Sequence, residues 1–292
     1  MSLTCGIIGL PNVGKSTIFN ALTSSSVPAE NYPFCTIEPH IGIVPLPDER
    51  LDALRDIYNP EKVTPATVEF TDIAGLVKGA SLGEGLGNQF LAQIRQVDAI
   101  VHVVRCFEDE NVTHVENSVD PLRDVELIET ELLLADLNTI EKGLLRLEKL
   151  SKSDKTAGIK LEFVKKLKVF CDDGMPARSY KCTSEEQKMI NELYLLTAKP
   201  IMYVANINED ELMSEKNSKH SDILLSTING NSGQAIKLCG KVEQEISVLD
   251  KAEQSEFLNE YSLSEPGLNH LIKRAFSLLN LETYFTGGEK EV

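Results

Sequence analysis

The sequence predicts an α/β protein with a mainly parallel sheet and an inserted antiparallel helical hairpin. Three observations lead to this prediction. Short apolar segments alternate with helical patterns along most of the chain. A glycine-rich turn joins the first predicted strand to the first predicted helix. A long central stretch carries a heptad pattern and no strand signal.

The predicted strands are short and almost continuously apolar, which is typical of parallel strands buried on both faces. They cover Leu3–Gly9, Val68–Ile73, Ala99–Phe107, Pro200–Ile207 and Ala235–Cys239. Helical patterns follow or separate them at Lys15–Leu22, Leu86–Gln96, Glu185–Leu196 and Gly240–Leu249. This alternation favours a sheet that is covered by helices on both faces.

The stretch from about Glu126 to about Phe170 interrupts this alternation. Its apolar residues recur at alternating spacings of 4 and 3, the a/d pattern of a coiled coil. They are Leu133, Leu137, Ile140, Leu144 and Leu147, followed after a turn by Phe163, Leu167 and Phe170. We predict a helical coiled-coil arm at residues 128–182, between the two parts of the sheet domain at 1–127 and 183–282. Two ordinary covering helices are the alternative.

Residues 9–16 read Gly-Leu-Pro-Asn-Val-Gly-Lys-Ser and match the phosphate-binding pattern G-x-x-x-x-G-K-[ST] between a strand and a helix. Glycines let backbone N–H groups surround a phosphate, and the helix N-terminus adds partial positive charge. Lys15 reaches the terminal phosphates and the Ser16 hydroxyl binds Mg²⁺. Within this loop, the P-loop, and the start of the following helix, the other predicted nucleotide contacts are Asn12, Val13, Gly14 and Thr17.

Two further segments fit a magnesium-nucleotide site. Asp72-Ile-Ala-Gly75 closes a predicted strand, so Asp72 can hold Mg²⁺ and the Gly75 N–H can donate to the γ-phosphate. Thr36 lies between this motif and the P-loop, where it would complete the magnesium shell; a plain turn residue is the alternative. Glycines at 79, 83, 85 and 87 suit either a mobile switch segment or an ordinary flexible loop.

Asn206-Ile-Asn-Glu209 follows a predicted strand where P-loop GTPases carry the base-reading motif N-K-x-D. Ile207 replaces the lysine, and Glu209 replaces the aspartate that accepts two hydrogen bonds from guanine. The additional methylene displaces the carboxylate, and a buried polar mismatch of this kind weakens recognition strongly. Adenine is therefore the expected base. The alternative is that Glu209 simply begins a loop.

These motifs together resemble the YchF family of Obg-like ATPases, a branch of the P-loop GTPases. The resemblance includes the P-loop, Tyr32–Pro39, Asp72–Val77 and Asn206–Glu209. Ser264-Glu-Pro-Gly-Leu and the later segment Leu278–Phe285 extend it over essentially the whole chain. It implies a Ras-like nucleotide-binding domain with an inserted coiled-coil arm, ATP preferred over GTP, and ribosome association. It also implies a C-terminal TGS domain, so we interpret residues 283–292 as the start of a truncated one.

The expected catalysis is slow without assistance. Leu76 follows Gly75, where Ras-like enzymes carry a glutamine that positions water, and leucine cannot form that hydrogen bond. Stimulated and intrinsic hydrolysis in Ras differ by about 10⁵-fold, or roughly 7 kcal/mol of barrier. The resemblance suggests two replacements: Asn12 would hold an activating K⁺, and His114 would position water. The alternative for His114 is an exposed loop histidine, whereas His102 is expected to pack in the core.

The predicted function is a ribosome-associated ATPase switch that uses Mg²⁺ and hydrolyses ATP to ADP and phosphate. One alternative is a nucleotide-binding ribosome or RNA module with negligible hydrolysis. A GTPase is the other alternative, and it requires Glu209 to imitate aspartate. A small-molecule kinase is the least favoured class, because no lid or acceptor-site signature is evident.

Composition is consistent with a reduced cytoplasmic protein. The six cysteines include no C-x-x-C pair, and no segment approaches the roughly 20 apolar residues of a membrane helix. A formal net charge of −16 argues against a protein that coats nucleic acid or an anionic membrane, and no DNA partner is predicted.

The charge distribution reopens the question for RNA. Residues 141–168 carry nine basic and four acidic residues, which leaves about −21 on the rest of the chain. We therefore expect the arm to contact ribosomal RNA phosphates. A solvated lysine face is the alternative.

Overall fold

The computed structural model describes residues 4–24, 40–75, 86–116, 118–213, 219–230 and 234–292. Residue contacts divide the chain into two compact units. The sheet unit comprises Met1–Ile73, Asp98–Pro121 and Ile201–Val292, and the helical unit comprises Ala74–Val97 and Leu122–Pro200. The domain limits given in the sequence analysis stay a prediction. The helical unit continues to Pro200, beyond the predicted end of the arm at residue 182.

The strands form one six-stranded sheet in the order β2-β3-β1-β4-β5-β6. They are β1 (Thr4–Ile8), β2 (Ile41–Pro45), β3 (Thr67–Asp72), β4 (Ala99–Arg105), β5 (Ile201–Asn206) and β6 (Gln234–Leu238). All pairs are parallel except β2 with β3. The predicted α/β class and mainly parallel sheet are confirmed. Sequence analysis missed β2, whose five residues include a glycine and a proline.

Helices occupy most of the remaining described chain. They are α1 (Lys15–Ser24), α2 (Glu49–Tyr58), α3 (Leu86–Gln96), α4 (Pro121–Leu150), α5 (Lys155–Asp172), α6 (Ser184–Asn191), α7 (Glu209–Met213), α8 (Lys219–Gly230), α9 (Gly240–Ile246), α10 (Lys251–Glu260) and α11 (Gly267–Leu278). The prediction of a helix to Leu196 was too long, because α6 ends at Asn191 and Tyr194 has a positive φ of 51°. None of the described helices is long and apolar enough to cross a bilayer.

Parallel pairing brings the carboxyl ends of the strands, which carry or precede the predicted site residues, to the same end of the sheet. Every residue of β4 and β5 is buried, and Arg105 lies opposite Asn206 in their register. Ile7 in β1 lies opposite Asp72 in β3. The carboxyl end of a parallel sheet is the usual position of a ligand site in such folds.

The predicted hairpin is confirmed as α4 and α5, which share one apolar core within the helical unit. Ile140 and Leu147 are buried there, and Leu133, Leu137 and Leu144 pack against them as the heptad predicts. Phe163 and Leu167 supply the facing side. Asp154 caps α5 by accepting from the Thr156 N–H at 2.8 Å.

Residues after 182 belong to the helical unit for a physical reason. Ile190 and Leu195 join the hairpin core. The buried carboxylate of Asp136 accepts hydrogen bonds from the N–H groups of Leu196 and Thr197, both at 2.7 Å. Burial raises the pKa of Asp136, against the opposing effect of these hydrogen bonds.

Each unit contains a fully buried free thiol. Cys5 lies in β1 and Cys171 in α5. Burial raises the pKa of Cys5 to about 12 and that of Cys171 to about 11, because a thiolate is poorly solvated in an apolar interior.

The segment 283–292 is part of the sheet unit and contacts its earlier residues. The Arg50 Nη2 donates to the Thr283 hydroxyl at 2.7 Å, and the guanidinium lies 5.0 Å from the Phe285 ring centroid. The Val292 N–H donates to the Lys62 carbonyl at 3.1 Å. Its assignment as the start of a TGS domain remains a prediction.

Candidate nucleotide site

The P-loop connects β1 to α1 through a tightly constrained backbone. A Cβ on Gly9 would lie 2.7 Å from the Val103 carbonyl oxygen, so β4 excludes any side chain there. Asn12 has φ 64°, a left-handed conformation that asparagine tolerates better than most residues. The helix begins at Lys15, and the first N–H groups of a helix lack intrahelical partners. The loop and the helix N-terminus together form an anion cradle.

Gly14 and Asn206 lock this loop to the end of β5. Gly14 has φ 90°, and a Cβ there would overlap the Asn206 Nδ2. That nitrogen donates to the Val13 carbonyl at 2.8 Å, while Oδ1 accepts from the Gly240 N–H at 2.9 Å. Asn206 is only 5% exposed. Its amide therefore joins the P-loop, the base motif and the start of α9.

Lys15 and Asp72 form an ion pair between α1 and the end of β3. Both side chains are about one-tenth exposed, so solvent still reaches the pair. The neighbouring Ser16 is exposed in the first turn of α1, and Thr17 is half-buried. Lys15 and Asp72, a predicted phosphate ligand and a predicted magnesium ligand, thus meet at the carboxyl end of the sheet.

The loop after β4 reaches the P-loop through Asn12. The Asn12 Nδ2 donates to the Thr113 carbonyl at 3.1 Å. The adjacent His114 is 6% exposed, so the alternative of an exposed histidine is wrong. Its Nδ1 accepts from the Glu116 N–H at 3.0 Å, which assigns the ring proton to Nε2 in the neutral form.

Arg105 holds this loop in shape, a role that sequence reasoning missed. Its buried guanidinium donates to the carbonyls of Phe107 at 3.0 Å, Val112 at 2.9 Å and Asp109 at 3.3 Å. It also lies 4.6 Å from the Phe107 ring centroid. The available signal was an arginine that ends an otherwise apolar strand. His102, earlier in that strand, is 1% exposed, as expected for a core residue.

The base motif has partners that no local pattern indicated. The Tyr261 hydroxyl donates to Glu209 Oε1 at 2.5 Å, and Lys241 Nζ lies 3.2 Å from Oε2. The Tyr261 bond, followed by that of Lys241, lowers the pKa of the Glu209 carboxyl; the same contact raises the pKa of Tyr261. Ile207 is buried, and its N–H donates to the Leu238 carbonyl at 3.0 Å.

The Ser264–Leu268 motif anchors α11. The buried Glu243 of α9 accepts from the N–H groups of Gly267 at 2.8 Å and Leu268 at 3.1 Å. Burial raises the pKa of this carboxyl, and the two N–H bonds oppose the shift. Glu243 therefore caps α11, and the motif is explained by packing within the sheet unit.

Several predicted site residues fall outside the described residues or in the other unit. Thr36, Leu76 and the glycines at 79, 83 and 85 lie outside the described residues. Gly75 is described, but it belongs to the helical unit, whereas Ser16 and Asp72 belong to the sheet unit.

The basic hairpin divides into paired and unpaired cations. Lys160 pairs with Glu192, Lys165 with Glu162, and Lys168 with Glu141 and Asp172. Among the described residues, no ion pair involves the other six. These cations, the exposed basic set, are all solvent-exposed and are Lys142, Arg146, Lys149, Lys152, Lys155 and Lys166.

Comparison with known proteins identifies relatives over the full chain. Residues 4–136 match the model of the 50S ribosome-binding GTPase family. The chain is 52% identical to the ribosome-binding ATPase YchF of Bacillus subtilis, with all of this chain and 80% of that protein aligned. The namesake from Escherichia coli O157:H7 is 49% identical over the same shares.

A solved structure, that of the Schizosaccharomyces pombe YchF GTPase, has a TM-score of 0.87 to this chain. The two are 38% identical, and the match covers 99% of this chain and 79% of that one.

Proposed function

This chain belongs to the YchF family, and we propose that it is a magnesium-dependent ATPase that acts as a ribosome-associated nucleotide switch. It hydrolyses ATP to ADP and phosphate and prefers ATP to GTP. The relatives' name, ribosome-binding ATPase, supports both the activity and the ribosomal partner. A ribosome-associated role implies a cytoplasmic location.

The observation that carries the proposal is the contact of Lys15 with Asp72 beside the constrained P-loop. Phosphate oxygens compete with Asp72 for the ammonium group of Lys15, because both are anionic acceptors. Binding of a triphosphate would transfer Lys15 to the β- and γ-phosphates and leave Asp72 available. Backbone N–H groups from Val13 to Thr17 would surround the phosphate chain.

The donor set fits magnesium. Mg²⁺ prefers oxygen ligands and keeps several waters when it is bound through phosphates. Ser16 would supply a hydroxyl oxygen, Asp72 a carboxylate oxygen through water, and Thr36 a hydroxyl that senses the γ-phosphate. The metal neutralises charge on the phosphates when bound.

The base motif supports ATP over GTP. Both carboxylate oxygens of Glu209 already accept from protein donors, Tyr261 and Lys241. Guanine would have to displace these donors to place its N1–H and amino group on the carboxylate. Asn206 positions the P-loop and α9 around the base, and Ile207 contributes the buried end of β5.

Catalytic assistance is assigned to Asn12, Lys15 and His114. Asn12 would hold K⁺ beside the phosphates, and Lys15 would stabilise the charge on the transferred phosphoryl group. The bond from Asn12 to Thr113 ties this P-loop residue to the segment that carries His114. His114 would position the attacking water. Because Leu76 cannot form a hydrogen bond to this water, ATP turnover should be slow without K⁺ or a partner.

The decisive experiment measures ATP and GTP affinity and then ATP turnover with K⁺ or Na⁺, with and without ribosomes. We expect tighter ATP binding and turnover stimulated by K⁺ and ribosomes. His114→Ala should abolish the stimulation while ATP affinity is retained, and His270→Ala, at an exposed histidine, is the control. Tighter binding of GTP would favour a GTPase, equal affinities would contradict the proposed preference for ATP, and absent stimulation would favour a binding module. Unchanged turnover in His114→Ala would exclude that residue from the mechanism.

The exposed basic set supports ribosomal RNA as the partner of the hairpin. Its cations lie on the last turns of α4, the turn after it and α5, where no carboxylate pairs with them in the described chain. Such cations are available for phosphates, and phosphate binding weakens steeply as salt rises.

Charge reversal tests this partner. Lys152→Glu with Lys155→Glu should weaken ribosome binding and reduce its salt dependence, with the slope of log K against log salt falling by about 2. Lys251→Glu with Lys290→Glu changes the net charge equally on exposed sites of the sheet unit and should have little effect. Equal losses in both double variants would indicate a general charge effect rather than contact by the hairpin.

A further inference from the structure

Glu209 is held by two donors that differ in rigidity. Tyr261 follows α10, is 7% exposed, and its ring stacks on Phe257 with centroids 4.9 Å apart. Its hydroxyl lies 2.5 Å from Glu209 Oε1. Lys241 lies on α9, and its side chain is 69% exposed. A packed phenol holds one position, whereas an exposed lysine is mobile and screened. Tyr261 is therefore the anchor of the Glu209 carboxylate.

The anchored carboxylate belongs to the base end of the nucleotide site. Glu209 is three residues from Asn206, whose amide binds the Val13 carbonyl of the P-loop and the Gly240 N–H at the start of α9. Lys241 is the next residue of α9. The packing of α9 and α10 thus determines where a residue of the base motif points.

Two nucleobases make opposite demands on such a carboxylate. Guanine offers two adjacent donors, N1–H and the amino group, which a free carboxylate accepts as a pair. Adenine presents a lone pair at N1, which a nearby free carboxylate would repel. A carboxylate that is fixed by protein donors neither accepts the two hydrogen bonds of guanine nor repels the N1 lone pair of adenine.

We propose that Tyr261 is a positioning residue that sets the base preference, because its hydroxyl withdraws Glu209 from both guanine recognition and adenine repulsion. This inference rests on the proposed ATPase function and deepens it. It attributes the selectivity to a residue 52 positions away from the motif.

The experiment measures the dissociation constants of ATP and GTP for the full chain with Tyr261→Phe, Glu209→Ala and the double variant. Tyr261→Phe keeps the ring and its stacking but removes the hydroxyl. It should tighten GTP binding about tenfold and change ATP binding less than about threefold, the scale of one lost hydrogen bond to a charged group. In the Glu209→Ala background, Tyr261→Phe should change neither. Tyr180→Phe, on the helical unit, is the matched control and should leave both constants unchanged.

A second variant tests the idea without altering the aromatic packing. Glu209→Asp restores the aspartate of the guanine-reading motif and shortens the side chain, so its carboxylate no longer reaches Tyr261; GTP binding should tighten, and adding Tyr261→Phe should tighten it no further. An unchanged GTP-to-ATP ratio in Tyr261→Phe would overturn the proposal. So would equal weakening of both nucleotides, or a ratio change that persists without Glu209. The wild-type ratio of the two dissociation constants tests the proposed function by itself, because a ratio that does not favour ATP would contradict it. The proposal about Tyr261 depends only on how the variants change that ratio.

Discussion

The two ends of the nucleotide site are built in different ways. At the phosphate end, consecutive residues adopt a backbone shape that sterics impose, as at Gly9 and Gly14. At the base end, Glu209 is held by side chains from two other helical segments, up to 52 residues away. The phosphate end therefore has a continuous sequence signature, although Val103 and Asn206 complete it, whereas the base end is assembled from residues far apart in sequence. Substitutions should distinguish the two.

The largest effect is expected where the two ends join. Asn206→Ala removes the amide that binds Val13 and Gly240, and leaves a carbonyl and an N–H without partners in a buried position. We expect the free energy of unfolding to fall by about 2–4 kcal/mol and affinity for every nucleotide to fall. Denaturant unfolding and nucleotide titration measure the two effects.

Asn138→Ala is the control for that substitution, because its exposed amide donates to the Leu134 carbonyl within α4. Its effect should stay within about 0.5 kcal/mol. If Asn206→Ala lost affinity for only one of ATP and GTP, Asn206 would not join the two ends of the site. A residue that supports both ends should affect the binding of both nucleotides.

A substitution confined to the phosphate end should have the next largest effect. Gly14→Ala places a Cβ against Asn206 at a φ of 90°. We expect a cost of about 1–3 kcal/mol in unfolding free energy and a loss of about 100-fold in affinity for ATP and GTP alike. Thermal unfolding and titration provide the readouts.

Gly158→Ala is its matched control. Apart from the nearby backbone of its own helix, no described atom lies within 4 Å of the added Cβ, so this half-buried helical site should gain about 0.5–1 kcal/mol. A change in the GTP-to-ATP ratio of Gly14→Ala would be inconsistent with a purely phosphate-directed effect.

This contrast explains which features the sequence could predict. The P-loop, Asp72 and the hairpin follow from local patterns, because the positive φ at position 14 requires glycine and the core of the hairpin requires the heptad at 133–147. Tyr261, Lys241 and Arg105 were not predicted as site residues. Their roles depend on which helix or loop packs at the carboxyl end of the sheet; the arginine that ends β4 was the one local signal, and Tyr261 and Lys241 had none.

Strand β2 and residues 183–200 illustrate the same limit. An edge strand such as β2 is specified by its partner β3 rather than by a strong apolar run. The assignment of 183–200 to the helical unit depends on Asp136, which binds Leu196 and Thr197 across about 60 residues.

The smallest effect is expected at the base end and depends on pH. Hydrogen bonds from Tyr261 and then Lys241 lower the folded-state pKa of Glu209 below its ordinary 4.5. The stability that Glu209 contributes is therefore complete above that value and is lost as the pH falls through the lower folded-state value. The melting temperatures of wild type and Glu209→Gln should differ at pH 7 and converge in acid.

Glu256→Gln, on the exposed face of α10, makes the same change of charge and controls for general charge effects. A constant difference for Glu209→Gln from pH 7 to acid would mean that ionisation of Glu209 contributes nothing to stability.

The buried thiols have a consequence for covalent chemistry. Only a thiolate reacts readily with alkylating reagents, and neither Cys5 nor Cys171 ionises near neutral pH while it is enclosed. Each becomes reactive when the element around it opens to solvent. Cys5 belongs to the sheet unit and Cys171 to the helical unit, so their alkylation rates report separately on the opening of each unit. If ATP slows labelling of Cys5 but not of Cys171, the bound nucleotide tightens the sheet unit alone.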